Sequence, residues 1–204
     1  MILSLFRQTG WVGLFAACGF AVACSSNVTP PADAFVSAAV GTGPMSNGTM
    51  CNLAGVGSWL SVGTEVAGKP TTVQDGGNNG NGNVSVACKV TPSGNGFDID
   101  LSVDQQGTQG ASMTVSSSSG QGTVTTSGAT GISATFTSYS NGGPYTSSNC
   151  TISYVYMMGA VPVDPPVAAG RIWGHLDCPA AMLSGQPGKQ CDARADFLFE
   201  QCNQ

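Results

Sequence analysis

The 204-residue chain has a formal net charge of −5, and 8% of its residues are charged, against roughly 25% in an average soluble protein. Its polarity comes instead from Ser, Thr, Asn, Gln and 29 glycines, which favours an exported β-protein over a cytosolic helical one. Beyond residue 23 the basic residues are Lys69, Lys89, Arg171, Lys189 and Arg194. Because binding to a nucleic-acid backbone requires several clustered cations, we expect no nucleic-acid partner.

The first 23 residues have the pattern of a signal peptide. Arg7 and the amino terminus are positively charged, and residues 10–23 are uncharged and mostly apolar. As a helix these fourteen residues would rise only about 21 Å, short of the roughly 30 Å hydrocarbon core of a membrane. We therefore interpret residues 1–23 as a cleaved signal peptide and not as a membrane span.

The small residues Ala21-Val22-Ala23 stand immediately before Cys24. This sequence resembles the lipobox of the bacterial lipoprotein class, a short apolar-small-small-Cys motif, although Leu is the usual residue where Ala21 stands. The resemblance implies diacylation of the Cys24 thiol with chains such as palmitate, cleavage before Cys24 and acylation of its new amine. The alternative is ordinary A-x-A cleavage at the same bond, which would leave Cys24 unmodified.

Cysteine parity favours lipidation of Cys24. It leaves an even number for disulfides in an oxidising compartment, namely Cys51, Cys88, Cys150, Cys178, Cys191 and Cys202. An unmodified Cys24, or a lipobox at Cys18, would leave an odd number. We predict three disulfides, and among the possible pairings we favour Cys178–Cys191, which would clamp the Pro- and Gly-containing loop between them.

The resemblance also implies a location in the cell envelope. Each buried methylene contributes about 0.8 kcal/mol, so a multiply acylated Cys24 would hold the protein on a membrane. In enteric bacteria a lipoprotein without Asp after this cysteine goes to the outer membrane, and Ser25 fits that rule. We predict a flexible tether over residues 24–45, which include Pro30-Pro31, and one folded domain over residues 46–204.

Alternation of apolar and polar residues predicts about eight strands. Residues 97–103 alternate completely, with Phe97, Ile99, Leu101 and Val103 on one face. Residues 84–90, 132–136, 150–156, 172–178 and 197–201 repeat the pattern, and residues 58–63 and 111–117 show it less clearly. With Gly/Asn/Ser turns and no long helical pattern, the sequence predicts an all-β, antiparallel two-sheet β-sandwich. A jelly roll is the first expectation and an immunoglobulin-like sandwich the second, with one short helix over residues 179–183.

Asp98, Asp100 and Asp104 form the first candidate site. On a strand, alternate side chains lie on one face about 6.6 to 7 Å apart. Paired carboxylates at such a separation serve glycoside hydrolysis, and they also bind Ca²⁺. The simpler interpretation, which we favour, is the solvated face of an amphipathic strand.

Arg171, Trp173, His175 and Asp177 form the second candidate site, since alternation places them opposite Ile172, Gly174, Leu176 and Cys178. A His beside an Asp can act as an oriented base, and a Trp can stack on a sugar ring. If the domain binds a ligand, we expect this outward face, with Trp173 exposed, to bind it. The simpler interpretation, which we favour, is that Trp173 packs under a neighbouring loop and His175 is merely exposed.

The sequence lacks the residues that a serine hydrolase motif or a zinc site would require. The sequence contains no G-x-S-x-G, and a single His with six oxidised cysteines leaves no zinc ligand set. We expect no enzyme, cofactor or metal, and a non-catalytic binding or structural module whose partners are the membrane and an envelope glycan or protein. One alternative is a glycan hydrolase that uses two of Asp98, Asp100, Asp104 and Asp177. Another is a tethered inhibitor or assembly partner.

Overall fold

The computed structural model describes residues 29–43, 51, 53, 57–66, 69–117, 123–140, 142–155 and 164–203. The predicted signal peptide, the lipobox and Cys24 lie outside the described residues. Within the described part the chain forms strands and turns and no helix. The described residues form no helix that is long and apolar enough to cross a membrane.

Thirteen strands make up the described fold. They are β1 (Asp33–Gly41), β2 (Gly57–Val62), β3 (Thr64–Val66), β4 (Lys69–Thr71), β5 (Val73–Gln74), β6 (Val84–Ser93), β7 (Gly96–Gln105), β8 (Ala111–Ser116), β9 (Ala129–Ser138), β10 (Gly142–Ser153), β11 (Val167–Ala168), β12 (Arg171–Leu183) and β13 (Gln186–Glu200). The main sheet has the order β2-β1-β13-β12-β10-β9-β8-β7-β6, with β11 on β12 and β5 on β1. All of its named strand pairs are antiparallel, and β3 and β4 form a separate hairpin.

The main sheet curls until it is nearly barrel-shaped. The free edge of β6 meets the segment after β5, where Val84 N donates to Gly77 O at 2.8 Å. Further along β6, Val90 N donates to Asn203 O at 2.9 Å, and Asn203 N donates to Cys88 O at 3.0 Å. The all-β, antiparallel prediction is confirmed. The two clear sheets of a sandwich are not seen, because one long twisted sheet bends round and covers its own edge.

The core lies inside the curl, and the alternating residues supply it as predicted. The buried positions from these strands are Val84, Val86, Cys88, Val90, Ile99, Leu101, Val103, Ile132, Ala134, Phe136, Cys150, Ile152, Ile172, Leu176, Cys178, Phe197 and Phe199. Gly174 is buried among them, and Phe97 is half-buried. Burial of these apolar side chains is the main favourable contribution to folding.

Residues 33–41, which were predicted to belong to the tether, form β1 instead. This strand pairs with β13 on one side and with β2 on the other. Its apolar residues Ala34, Phe35, Val36, Ala38 and Val40 are buried. Small Ala and Ser side chains give the segment the composition of a linker, but they also suit a strand packed between two neighbours. The tether prediction therefore fails for these residues, and the folded part includes Asp33.

The predicted helix over residues 179–183 is the end of strand β12. The pairing of β12 with β13 shifts register between Cys178 and Ala181, and Ala180 has a positive φ of 54°. A bulge leaves a residue out of the ladder, and Pro179 has no N–H to donate to it. The proline therefore marks a bulge in a long strand and not a helix start.

Three disulfides join Cys51 to Cys191, Cys88 to Cys202 and Cys150 to Cys178. The prediction of three disulfides from these six residues is confirmed, and the predicted pair Cys178–Cys191 is wrong. Although β12 and β13 are neighbours, their register places Cys178 opposite Ala193 and Cys191 opposite Ala181. Cys178 pairs instead with Cys150 of β10, on its other side.

Candidate functional site

The candidate site lies on the outer face of the sheet, which we define as the face opposite the core. There the register of β1, β13, β12 and β10 aligns side chains in rows that run across the strands. The apolar row consists of Phe35, Leu198 and Trp173. The histidine row consists of Ser37, Asp196, His175 and Ser153. The polar band consists of Ala39, Arg194, Asp177, Thr151 and, on β9, Thr130.

The apolar row forms a second, small hydrophobic cluster outside the main core. Trp173 is only 4% exposed, and it packs on Phe35, Leu198 and the partly buried Tyr154. The Tyr154 and Trp173 ring centroids lie 5.5 Å apart in an edge contact. Trp173 is on the outer face, as alternation predicts. It is covered there, so the exposed binding surface that the ligand hypothesis requires is not formed, and the simpler interpretation of a packed Trp173 describes it better. Alternation along a strand identifies the face of a side chain and not what covers that face.

Tyr154 is fixed from both ends. Its ring packs against Trp173, and its hydroxyl donates a hydrogen bond to Thr125 O at 2.7 Å. Burial raises the pKa of Tyr154 from 10.0 to about 12, because the phenolate would be poorly solvated. The aromatic pair is therefore built into the structure, and the indole of Trp173 is not open to stack on a sugar.

The histidine row contains the one histidine of the chain. His175 Nδ1 lies 2.8 Å from Asp196 Oδ1, and both side chains are largely buried, at 14% and 10% exposure. Gly174 allows β10 to approach at this point, since a Cβ there would meet Ser153 O at 3.1 Å and Ile152 Cγ2 at 3.2 Å. The hydrogen bond between Asp196 and Nδ1 fixes the orientation of the imidazole, as the second group of a dyad does.

The order Ser153–His175–Asp196 in this row is the order of a nucleophile, a base and an orienting carboxylate. In the described part of the chain, however, no hydrogen bond joins the hydroxyl of Ser153 to His175. The recess beside His175 is lined by Ser37 and not by Ser153. His175 is therefore oriented by Asp196, but the Ser153 hydroxyl is not in hydrogen-bond contact with it.

Two recesses flank this part of the outer face. A cleft of about 120 Å³ is lined by Ser37, Ala39, His175, Arg194, Ala195 and Asp196. A wider groove of about 430 Å³ has Thr130, Thr151, Ser127 and Gly128 in its wall. Two residues of the polar band line each recess, so the band runs from one to the other. From Arg194 to Thr130 its side chains can donate or accept hydrogen bonds.

Arg171, predicted to share a site with His175, serves a different contact. Its Nη2 donates to Pro165 O at 3.3 Å, which ties the start of β12 to the preceding loop. Asp177 is exposed and lies opposite Arg194 in the register of β12 and β13. Of the predicted face, Trp173, His175 and Asp177 thus lie in the rows of the candidate site, and Arg171 does not. Asp196 and Arg194 were not predicted, because the alternation before Phe197 gives their face but not their neighbours.

The strand aspartates of the first candidate site do not join this one. Asp98 and Asp100 are exposed on β7, which is separated from β12 by β8, β9 and β10. Their partners on β6 are Thr91 and Lys89, so no second carboxylate faces them there. Asp104 accepts a hydrogen bond from the Tyr139 hydroxyl at 3.4 Å. Among the described residues, no group of three or more His, Cys, Asp or Glu could hold a metal ion.

No protein-family model, curated protein sequence or solved structure matches this chain. The function is therefore inferred from the sequence and from the geometry of the outer face.

Proposed function

We propose that this protein is a lipid-anchored component of the bacterial cell envelope whose β-domain is a non-catalytic binding module. The observation that supports the lipid anchor in the envelope is the pairing of the six downstream cysteines among themselves. Three disulfides favour an oxidising, extracytoplasmic compartment. Since each sulfur enters one disulfide, this pairing leaves Cys24 for acylation. Ser25 then favours the outer membrane, on its periplasmic face or at the cell surface.

The outer face favours binding over catalysis. It offers an oriented imidazole, a guanidinium, a carboxylate and several hydroxyls next to two recesses. Catalysis by acyl transfer would need a nucleophile in contact with its base, and glycoside hydrolysis would need two carboxylates about 5 to 10 Å apart across a cleft. Among the described side chains, Ser153 makes no hydrogen bond to His175, and the linings of the two recesses contain one carboxylate, that of Asp196, so the alternative of a glycan hydrolase has less support.

A protein partner, as for an inhibitor or assembly factor, also has less support. Such a surface usually includes a contiguous apolar patch. In the part of the chain that the structure describes, the exposed large hydrophobic residues are Tyr139, Val155 and Met182, and they come from three different segments.

Fractionation of cells that express the full chain tests the anchor. We expect the wild type to remain with membranes through washes at high salt and to be released by detergent. Cys24→Ala should move to the soluble fraction, because it cannot be acylated. Cys18→Ala is the matched control, since it removes a nearby leader cysteine and should fractionate like the wild type. Equal membrane retention of wild type and Cys24→Ala would contradict the anchor.

Assays of turnover test the non-catalytic half of the proposal. We expect the purified mature chain to release no product from chromogenic esters or from neutral oligosaccharides. Turnover that is lost in His175→Ala or in Asp177→Asn would show instead that the outer face is an active site.

A further inference from the structure

We infer that the polar band is a binding site for an extended, uncharged glycan that lies across the strands. This inference rests on the proposed binding function and names its ligand class.

The length and the shape of the polar band favour an extended ligand. The band crosses five neighbouring strands, β1, β13, β12, β10 and β9. At about 4.8 Å between strands, it extends for roughly 19 Å, longer than a single sugar ring. Ala39 and Arg194 line the cleft at one end, and Thr151 and Thr130 line the groove at the other. A chain of several sugars could therefore occupy both recesses at once.

The charges of the polar band favour an uncharged ligand. Asp177 and Arg194 are exposed and face each other on adjacent strands, so their opposite charges offset one another. Within the described ranges the ion pair that forms is His175–Asp196, and neither Asp177 nor Arg194 has a side-chain hydrogen bond there. An anionic polymer would be repelled by Asp177, and a cationic one by Arg194. Arg194 is the one cation among the band residues, and Asp177 lies opposite it, so the band would attract an anion only weakly.

The hydrogen-bonding groups of the polar band match sugar hydroxyls. Arg194 only donates, Asp177 only accepts, and the threonine hydroxyls do both. A sugar hydroxyl is itself a donor and an acceptor, so successive hydroxyls can bond to all of these groups in turn. His175 lines the cleft, and because Nδ1 is bound to Asp196, Nε2 is the ring atom left to bond a ligand.

A peptide fits this surface less well than a glycan does. Peptides are commonly recognised at a free sheet edge or in an apolar pocket. Both edges of β12 and of β13 are paired, so a peptide cannot add a strand at Asp177 or Arg194. The indole of Trp173, which lies on the same face of the sheet, is covered.

Calorimetric titration of the mature full-length chain in detergent tests this site. The probes are neutral hexasaccharides of glucose, N-acetylglucosamine, xylose and mannose, the matching disaccharides, and a galacturonic acid hexasaccharide. We expect a neutral hexasaccharide to bind at least tenfold more tightly than its disaccharide, because only the longer chain reaches both recesses. It should also bind more tightly than the charged hexasaccharide.

Matched variants locate the binding. Asp177→Asn and Arg194→Gln should each weaken binding of the hexasaccharide at least tenfold. Asp98→Asn and Lys89→Gln change exposed charges elsewhere on the sheet, and they should bind like the wild type. Unchanged melting temperatures in all four variants would separate lost contacts from lost folding.

Three results would overturn the inference. They are no binding of any neutral hexasaccharide by the wild type, unchanged affinity in both band variants, and tighter binding of the charged hexasaccharide or of a peptide library. A wild type that stays with membranes but binds no glycan would refute the ligand class and leave the anchor standing. Glycan binding by a protein that fractionates as soluble would refute the anchor and leave the ligand class standing.

Discussion

Trp173 and His175 lie two residues apart on β12, and both are held by neighbours from other strands. Phe35, Leu198 and Tyr154 surround the indole, and Asp196 binds the imidazole. The packed side chains of the apolar row lie directly beside His175 and Asp196, and they limit the movement of these two polar side chains. The apolar row thus serves as the support for the histidine row beside it.

Trp173→Ala should destabilise the domain strongly. Removal of a large buried aromatic side chain leaves a cavity, and the expected loss in the free energy of unfolding is about 3 to 5 kcal/mol. Val155→Ala is the control, since Val155 is 69% exposed and its loss should change stability by less than about 0.5 kcal/mol. Urea unfolding measures both. A loss below about 1 kcal/mol for Trp173→Ala would mean that the indole is not packed as described.

Tyr154 should make stability depend on pH in the alkaline range. Its pKa is raised to about 12 in the folded state, and the usual tyrosine value is 10.0. Below pH 10 the hydroxyl is protonated in both states, so the contribution to stability is fully present. Between pH 10 and 12 the unfolded chain ionises first, so stability falls as pH rises. Tyr154→Phe should lose less stability over this range. Its difference absorbance from wild type should show tyrosinate forming near pH 12, and a step near pH 10 would contradict the burial.

His175 and Asp196 should be energetically coupled. A hydrogen bond to a charged group contributes about 1.5 to 3 kcal/mol, and removal of one partner leaves the other poorly solvated. In a double-mutant cycle with His175→Ala and Asp196→Ala, we expect a coupling energy of about 1 to 2 kcal/mol. The same cycle with His175→Ala and the exposed Asp177→Ala should give a coupling near zero. Additive losses for His175 and Asp196 would show that the contact contributes nothing to stability.

At the scale of strands, predictions from the sequence succeed where large apolar residues alternate. Residues 84–90 and 97–103 have this pattern, and both form strands with the predicted buried faces. β1 was missed because its inward residues are mostly Ala and Val among Ser and Gly. The end of β12 was misassigned because Pro179 suits a helix start as well as a bulge.

Partners across strands are much harder to predict than faces. The outward position of His175 and Asp177 follows from local alternation, whereas the contact of His175 with Asp196 depends on which strands pair and in what register. The same dependence explains the wrong pairing of Cys178. Strand order in a sheet is set by the packing of the whole core, and a single sequence does not specify it locally.

The disulfide between Cys88 and Cys202 should stabilise the seam of the sheet, by which we mean the contact between the edge of β6 and Asn203. It joins residues 114 apart in sequence, whereas Cys150–Cys178 spans 28. In the chain-entropy relation the longer loop contributes about 1 kcal/mol more. The pair of alanine substitutions at Cys88 and Cys202 should therefore lower the free energy of unfolding more than the pair at Cys150 and Cys178.

Amide exchange distinguishes a local effect from a global one. Loss of Cys88–Cys202 should speed exchange of the Val90 amide, which donates to Asn203 O across the seam. Loss of Cys150–Cys178 should affect this amide less. Equal exchange rates in the two variants would mean that the seam does not depend on its own disulfide.

At the scale of the whole molecule, the sheet covers its own edges. Residues 77 and 203 bond the outer edge of β6, and at β2 the Asn79 side chain donates to Ser61 O and accepts from Gly63 N. An edge bonded in this way offers little template for pairing with other chains. A domain held on a crowded membrane surface would benefit from such protection, since its local concentration is high.

The central claim is that one cysteine of the mature chain is lipidated and that the other six form disulfides. Mass spectrometry of the membrane-extracted protein, alkylated without reduction and then digested, measures both parts together. We predict an N-terminal peptide that begins at Cys24 and carries acyl chains, with no alkyl label on Cys51, Cys88, Cys150, Cys178, Cys191 or Cys202. An unmodified Cys24 at the mature N-terminus, or alkylation of two or more of the six, would contradict the claim.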